Sequence, residues 1–239
     1  MVTVDDVRFS APLYSVAEAA RLIDVPASTF KNWVRGYVRR GVGGPLVIGK
    51  PIVTATAGEP GQDSVPFIGL AEGMVLAAFR RQGVPLQRIR PALEVLEREI
   101  GIEHALASER LFTDGVEILV DYAESAGETP EAASARELVV VRHGQRVFAD
   151  VVDSYLKRIT FAEDGWAERL QLPQYLRASV IVDPRLSFGR PVFEHSGARL
   201  ADALGMFQAG EDLDTVGAEY GVDRAELEDA VRVASRRAA

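Results

Sequence analysis

"YSVAEAARLIDVPASTFKNWV", residues 14–34, carries two apolar stripes at helical spacing with a break between them. Ser15 stands three positions before Glu18. At that spacing the hydroxyl accepts from the Glu18 amide and the carboxylate reaches back to the Ser15 amide, so a helix starts here. Val16, Ala19, Ala20 and Ile23 give it a buried stripe, with the small Ala20 at the crossing. "DVP" ends it: Pro26 disfavours the α conformation at Val25, and Asp24 is one of the few non-glycine residues that tolerates a left-handed turn. Pro26 then suits the start of a second helix, whose Phe30, Trp33 and Val34 share one face. The opposite face holds Ser28, Thr29, Lys31, Asn32 and Arg35, side chains able to reach phosphates and base edges.

The stretch reads as a helix-turn-helix whose second helix faces DNA, yet the chain has a formal net charge of −8. DNA is a polyanion bound mainly through Lys and Arg. Counting by segment resolves the conflict. Residues 1–98 hold 12 Lys+Arg against 9 Asp+Glu, a net +3, whereas residues 99–239 hold 15 against 26, a net −11. The acidic excess lies in the second part and leaves the N-terminal part free to meet phosphates.

Downstream, "YVRRGVGGPLVIGKPIVTA" (37–55) reads as a basic, glycine-rich hairpin or wing, with Arg39, Arg40 and Lys50 placed for phosphates. "FIGLAEGMVLAAFRRQGVPLQRIRPALEVLEREIG" (67–101) reads as two helices around a turn at Gly83 to Pro85. This order, with "RRQGVPLQRI" in the helix pair, resembles the MerR-like winged helix over roughly residues 12–100. Asp24 stands where such turns usually carry glycine. The resemblance implies a DNA-binding domain over residues 1–110. Ser28, Thr29, Lys31, Asn32, Arg35, Arg39 and Arg40 are its candidate contacts to operator double-stranded DNA.

Residues 111–177 read as a β-hairpin-rich middle region. "LFTDGVEILVDYAE" (111–124) has an Asp-Gly turn signal before a strand-like run. "ELVVVRHGQRVFADVV" (137–152) alternates around His143 and Gly144, and "ITFAEDGWAERLQLP" suggests a hairpin at Asp164 and Gly165. The connection "ESAGETPEAASARE" reads as a loop. His143 fits a turn residue, and Trp166, Tyr155 and Phe161 fit core or interface positions.

Residues 178–239 form the third expected domain. In "EDLDTVGAEYGVDRAELEDAVRVASRR", Gly217, Gly221, Val222, Leu227 and Ala230 repeat the spacing of Ala20, Asp24, Val25, Phe30 and Trp33. The positions equivalent to Ser28, Thr29, Lys31 and Asn32 are Ala225, Glu226, Glu228 and Asp229. Residues 211–229 hold eight acids and one Arg, so this face repels phosphates and suits a protein instead. Just upstream, "DPRLSFGRPVF" reads as an Asp-Pro turn followed by a short apolar strand set by Gly189 and Pro191. The segment 178–234, through Asp183, Pro184, Gly189, Pro191, Arg199, Ala209 and Gly210, resembles uncharacterised helix-turn-helix domains found in VapB-like antitoxins. That resemblance implies a PIN-domain ribonuclease toxin as partner, and Arg232, Arg236 and Arg237 are candidates to face its carboxylates.

The expected fold class is therefore α+β: an N-terminal winged helix-turn-helix, a hairpin-rich middle and a small C-terminal helix-turn-helix domain. No uncharged run exceeds nine residues, short of a membrane span, and Asp5 and Asp6 stand where a signal peptide is basic, which reads as cytoplasmic. Cysteine is absent and the three histidines, His104, His143 and His195, are scattered, so neither a disulfide nor a metal cluster is expected. There is no nucleophile, metal or phosphate-loop motif, and neither catalytic residues nor a cofactor are assigned. The expected function is an antitoxin that neutralises a PIN-domain toxin and represses its own operon as a homodimer. The alternative is a MerR-like regulator responding to a small molecule in the middle region.

Overall fold

The structure is a computed structural model of the 239-residue chain. It describes residues 6–40, 46–57, 62, 64–83, 86–101, 103–130, 132–133 and 157–238. The chain divides into two compact units, Met1–Ala167 and Glu168–Ala239.

The first unit is built around α4 (Phe67–Arg81), in which Phe67 to Phe79 are all buried. Short helices α1 (Val7–Ser10), α2 (Val16–Leu22) and α3 (Ala27–Arg35) precede it, followed by an antiparallel hairpin of β1 (Tyr37–Arg40) and β2 (Leu46–Gly49). After α4 come α5 (Leu86–Ile100), a 3-10 turn at Ala105–Ala107 and α6 (Glu109–Ser125). A buried helix takes close neighbours only where it is small. A Cβ on Gly73 would lie 2.5 Å from the Phe30 ring, and one on Gly69 would lie 2.2 Å from the Thr54 carbonyl oxygen. These two glycines let α3 and the segment after the hairpin pack directly on α4.

One expectation for the middle region is corrected. Residues 111–124 do not turn at Asp114–Gly115 into a strand; they lie inside α6. The Ser108 hydroxyl caps this helix by accepting from the Arg110 amide, and Arg110 pairs with Asp114 one turn on at 3.3 Å. Leu111, Gly115 and Ile118 repeat at helical spacing, with Leu111 and Gly115 buried. Together these override the β propensity of "VEILV" and the Asp-Gly signal, since an interior glycine weakens a helix by only about 1 kcal/mol. The expected hairpin at 137–152, with His143, and Tyr155 lie outside the described residues.

The turn at Asp164 and Gly165 does form, between β3 (Ile159–Phe161) and β4 (Ala167–Gln171). The Ala162 amide donates to the Trp166 carbonyl, and Gly165 takes a φ of 78°. In the second unit, β4 pairs antiparallel with β5 (Val180–Val182), and β5 pairs with β6 (Val192–Phe193). The chain then forms α7 (Leu200–Gln208), α8 (Leu213–Tyr220) and α9 (Arg224–Ala238). Leu170, Val180, Val182, Ala203, Val216, Leu227 and Ala230 are buried in this unit. Among the described residues, no helix is long and apolar enough to cross a membrane.

Candidate nucleic-acid interface

The capping box forms as the spacing predicts. The Glu18 amide donates to the Ser15 hydroxyl at 3.2 Å, and the Ser15 amide donates to the Glu18 carboxylate at 3.0 Å. Asp24 has a φ of 56°, and the Val25 amide closes the turn on the Ala20 carbonyl at 3.0 Å. From α4, the Arg81 guanidinium donates to the carbonyls of Ile23 at 2.8 Å and Asp24 at 3.3 Å, satisfying acceptors that the end of α2 leaves open.

Helix α3 begins after Pro26 and buries Phe30, Trp33 and Val34, with the Phe30 and Trp33 rings 5.9 Å apart. Its other face is open: Ser28, Lys31 and Arg35 are exposed, and Thr29 and Asn32 are half-buried. Ser28, Lys31 and Arg35 fall at i, i+3 and i+7 and line a concavity of about 380 Å³ with Ser15, Val16 and Gln62. Arg40 and Lys50 are exposed at the ends of the hairpin strands, and the side chain of Arg39 lies outside the described residues. Five of the seven predicted DNA contacts thus sit on one helix, and Arg40 lies on the following hairpin.

The hairpin is held in register with α3 by groups that spacing did not single out. The amides of Ile52 and Val53 donate to the Trp33 carbonyl at 2.8 and 3.2 Å. Arg90 of α5 stacks over the Tyr37 ring at 5.6 Å and donates to the Lys50 carbonyl. Glu72, a nearly buried carboxylate in the otherwise apolar α4, accepts from the Thr54 amide at 2.6 Å and the Thr54 hydroxyl at 3.0 Å. His104 Nδ1 lies 3.0 Å from the same carboxylate and 2.7 Å from the Thr54 hydroxyl. The hydrogen bond to Glu72 holds the His104 imidazole above its ordinary pKa, against the opposing effect of burial. These residues border an acidic cleft of about 670 Å³ that also takes in Glu94, Glu97 and Glu103. Burial pushes the Glu97 carboxyl up, helped by the neighbouring acids. Among the described residues, no group of three or more acids, histidines or cysteines has the arrangement of a metal site.

The second unit repeats the local turn and folds part of the corresponding face onto its own chain. Gly221 has a φ of 62°, and the Val222 amide donates to the Gly217 carbonyl at 3.1 Å, the counterpart of the Val25–Ala20 bond. Asp229, at the position of Asn32, is 1% exposed. It accepts from the amides of Leu176, Arg177 and Ala178 at 2.6, 2.7 and 3.1 Å. Glu226, at the position of Thr29, accepts from the Ser179 amide at 3.0 Å. Burial alone would raise the Asp229 pKa, but the three amides and Arg232 outweigh it and hold the carboxyl below its usual range. Glu226 and Asp229 are thereby spent on their own chain, which leaves Glu228 as the exposed acid among the four compared positions. Arg232 pairs with Asp229 at 2.9 Å, Arg236 is exposed, and the Arg237 side chain lies outside the described residues.

Residues 12–93 match a family described as "Putative DNA-binding HTH domain". The chain is 47% identical over 228 residues to "Putative antitoxin VapB45" of Mycobacterium tuberculosis, an alignment that covers 95% of each protein. It is 28% identical over 227 residues to "Uncharacterized protein Rv2308" of the same organism, covering 92% of this chain and 88% of that one. The crystal structure of Rv2018 from Mycobacterium tuberculosis is similar at a TM-score of 0.79 and 44% identity, covering 94% of this chain and 99% of the other. With identity of this level running through both units, and a DNA-binding helix-turn-helix in the first, the chain belongs to the family of the mycobacterial antitoxin VapB45.

Proposed function

We propose that the chain is an antitoxin that neutralises a PIN-domain ribonuclease and represses its own operon. The reading is carried by the contrast between two helix pairs built on the same turn: the first presents Ser28, Lys31 and Arg35 to solvent, and the second folds Glu226 and Asp229, the counterparts of Thr29 and Asn32, onto its own loop and presents the acidic Glu228 in place of Lys31. DNA then belongs to the first pair. Ser28, Thr29, Lys31, Asn32 and Arg35 enter the major groove, while Arg39 and Arg40 on the hairpin, acting as a wing, reach the backbone. A homodimer would set two such helices about 34–36 Å apart, one helical turn of DNA. The second unit, with the arginines near the end of α9, serves the toxin.

The test is a pull-down of the tagged chain from its native cells, paired with gel shift on the DNA upstream of its gene. A PIN-domain protein at comparable stoichiometry and a salt-sensitive shift of that DNA are expected. Failure of the chain to bind any such toxin would sink the antitoxin reading, and failure to shift the upstream DNA would sink autorepression.

A further inference from the structure

Residues 185–190, "RLSFGR", form the most unusual backbone in the second unit. Ser187 and Phe188 take φ values of 48° and 54°, and Gly189 follows at 73°. Two consecutive non-glycine residues in the left-handed region are strained, and such strain persists only where the surroundings impose it. Here they do. Buried Asp183 accepts from the Arg185 amide at 2.9 Å, and its carbonyl accepts from the Leu186 amide at 2.9 Å. Gly189 and Arg190 donate back to Leu186 and Ser187 at 2.9 and 3.1 Å, and Arg199 Nε donates to the Ser187 hydroxyl at 3.3 Å.

The strained loop does not bury its aromatic ring. Phe188 is 79% exposed, and Leu186 beside it is 39% exposed. Arginines flank the ring in sequence, Arg185 three positions before it and Arg190 two after, and Arg199 bonds to its neighbour Ser187. Arg185 is held by Asp183 at 2.7 Å and Glu168 at 2.9 Å, which anchors the start of the loop. An aromatic and arginines presented together on a rigid support have the composition of an interface hot spot.

We infer that Phe188, on a loop that carries Arg185 and Arg190 and is bonded through Ser187 to Arg199, is a docking knob for a protein partner that offers an apolar pocket edged by carboxylates. A protein fits better than a nucleic acid, because residues 168–239 hold 9 Lys+Arg against 12 Asp+Glu and would repel an extended polyanion. The inference rests on the antitoxin reading for the identity of the partner, and it places the centre of the interface on this loop.

The experiment measures binding of the full-length chain, wild type and variants, to the PIN-domain protein encoded beside its gene, by calorimetry alongside thermal melting. Phe188→Ala is expected to weaken binding by about thirty-fold or more. Phe188→Gly is expected to weaken it equally while raising the melting temperature by roughly 2–4 °C, since glycine relieves the left-handed strain and little burial is lost. A merely structural residue would move both readouts in the same direction. Arg190→Glu is expected to weaken binding. If the wild type binds and all three variants bind equally well, the knob is overturned and the antitoxin reading stands. If the wild type does not bind, that reading falls and the knob's partner falls with it. If Phe188→Ala instead weakens operator DNA binding with toxin affinity unchanged, the knob serves nucleic acid and the inference is wrong.

Discussion

Phe30 reaches α4 only because position 73 lacks a side chain. A Cβ there would sit 2.5 Å from a ring that is fully buried and unable to swing aside. Gly73→Ala is therefore expected to destabilise the first unit by about 1–3 kcal/mol, as overpacking does, and to weaken DNA binding in proportion to the displacement of α3. Chemical denaturation of the variant measures the first effect and gel shift at a permissive temperature the second. Arg35 carries the opposite expectation: it is exposed, so Arg35→Ala should leave stability unchanged. If it meets a phosphate, its loss lowers affinity for all sequences alike and reduces the log–log salt slope by about 0.9; an unchanged slope would exclude Arg35 as a phosphate contact and leave it to the bases. Ser15, Glu18, Asp24 and Pro26 were legible because each acts on its immediate neighbours through a fixed spacing. Gly73 was not, because its reason lies in a ring 43 positions away in the chain.

At the level of elements, the helix pair was legible from its stripes, whereas the device that fixes the hairpin beside it was not. Glu72 interrupts an apolar helix, and only the fold shows that Thr54 and His104 converge on it. The same distinction explains α6. Its Asp-Gly and β-branched signals are short-range, while its stabilising groups are a cap before it and a packed face along it. The Glu72–His104 pair also sets a pH response. The imidazole pKa is raised in the folded state, so its contribution is fully present below the unfolded value of about 6.5 and is lost as pH rises through the folded value. Glu97, also raised, shifts stability in the same direction at lower pH. Glu94, Glu97, Glu103 and Arg98 face His104 across the cleft, and the Phe9 and Trp166 rings pack against it at 5.5 and 6.1 Å. The melting temperature of the first unit should therefore fall from pH 6 towards pH 8.5, and His104→Gln should flatten that decline. An unaltered slope in the variant would show that the cluster does not set it. In the second unit, Asp229→Ala would strip three amides, that of Ala178 buried, of their acceptor and should cost about 3 kcal/mol.

Across the whole molecule, the two units are stabilised by charges that titrate in different ranges. In the second, burial would raise the Asp183 pKa, but the side chain and amide of Arg185, with Arg169, hold it down; Asp229 is held down by its amides. A depressed carboxylate contributes above its unfolded pKa, about 3.9, and loses that contribution as pH falls through the folded value. In the first unit, Asp164 is lowered by its hydrogen bond from Arg8 and behaves alike, but His104 adds a loss on the alkaline side. The sequence does not show where the chain divides, because its charge changes near residue 98, inside the first unit, and the division falls at the start of β4 and not in a linker rich in Pro or Gly. Both tryptophans, Trp33 and Trp166, lie in the first unit, so their fluorescence reports on it alone, while far-UV circular dichroism includes α7, α8 and α9. Raising the pH from 6 to 8.5 should lower the midpoint seen by tryptophan fluorescence and leave a later-melting helical signal in place. Acidification below about pH 4 should lower both midpoints. Identical shifts of the two probes at alkaline pH would mean that the units unfold as one, and that His104 sets the stability of the second unit as well as the first.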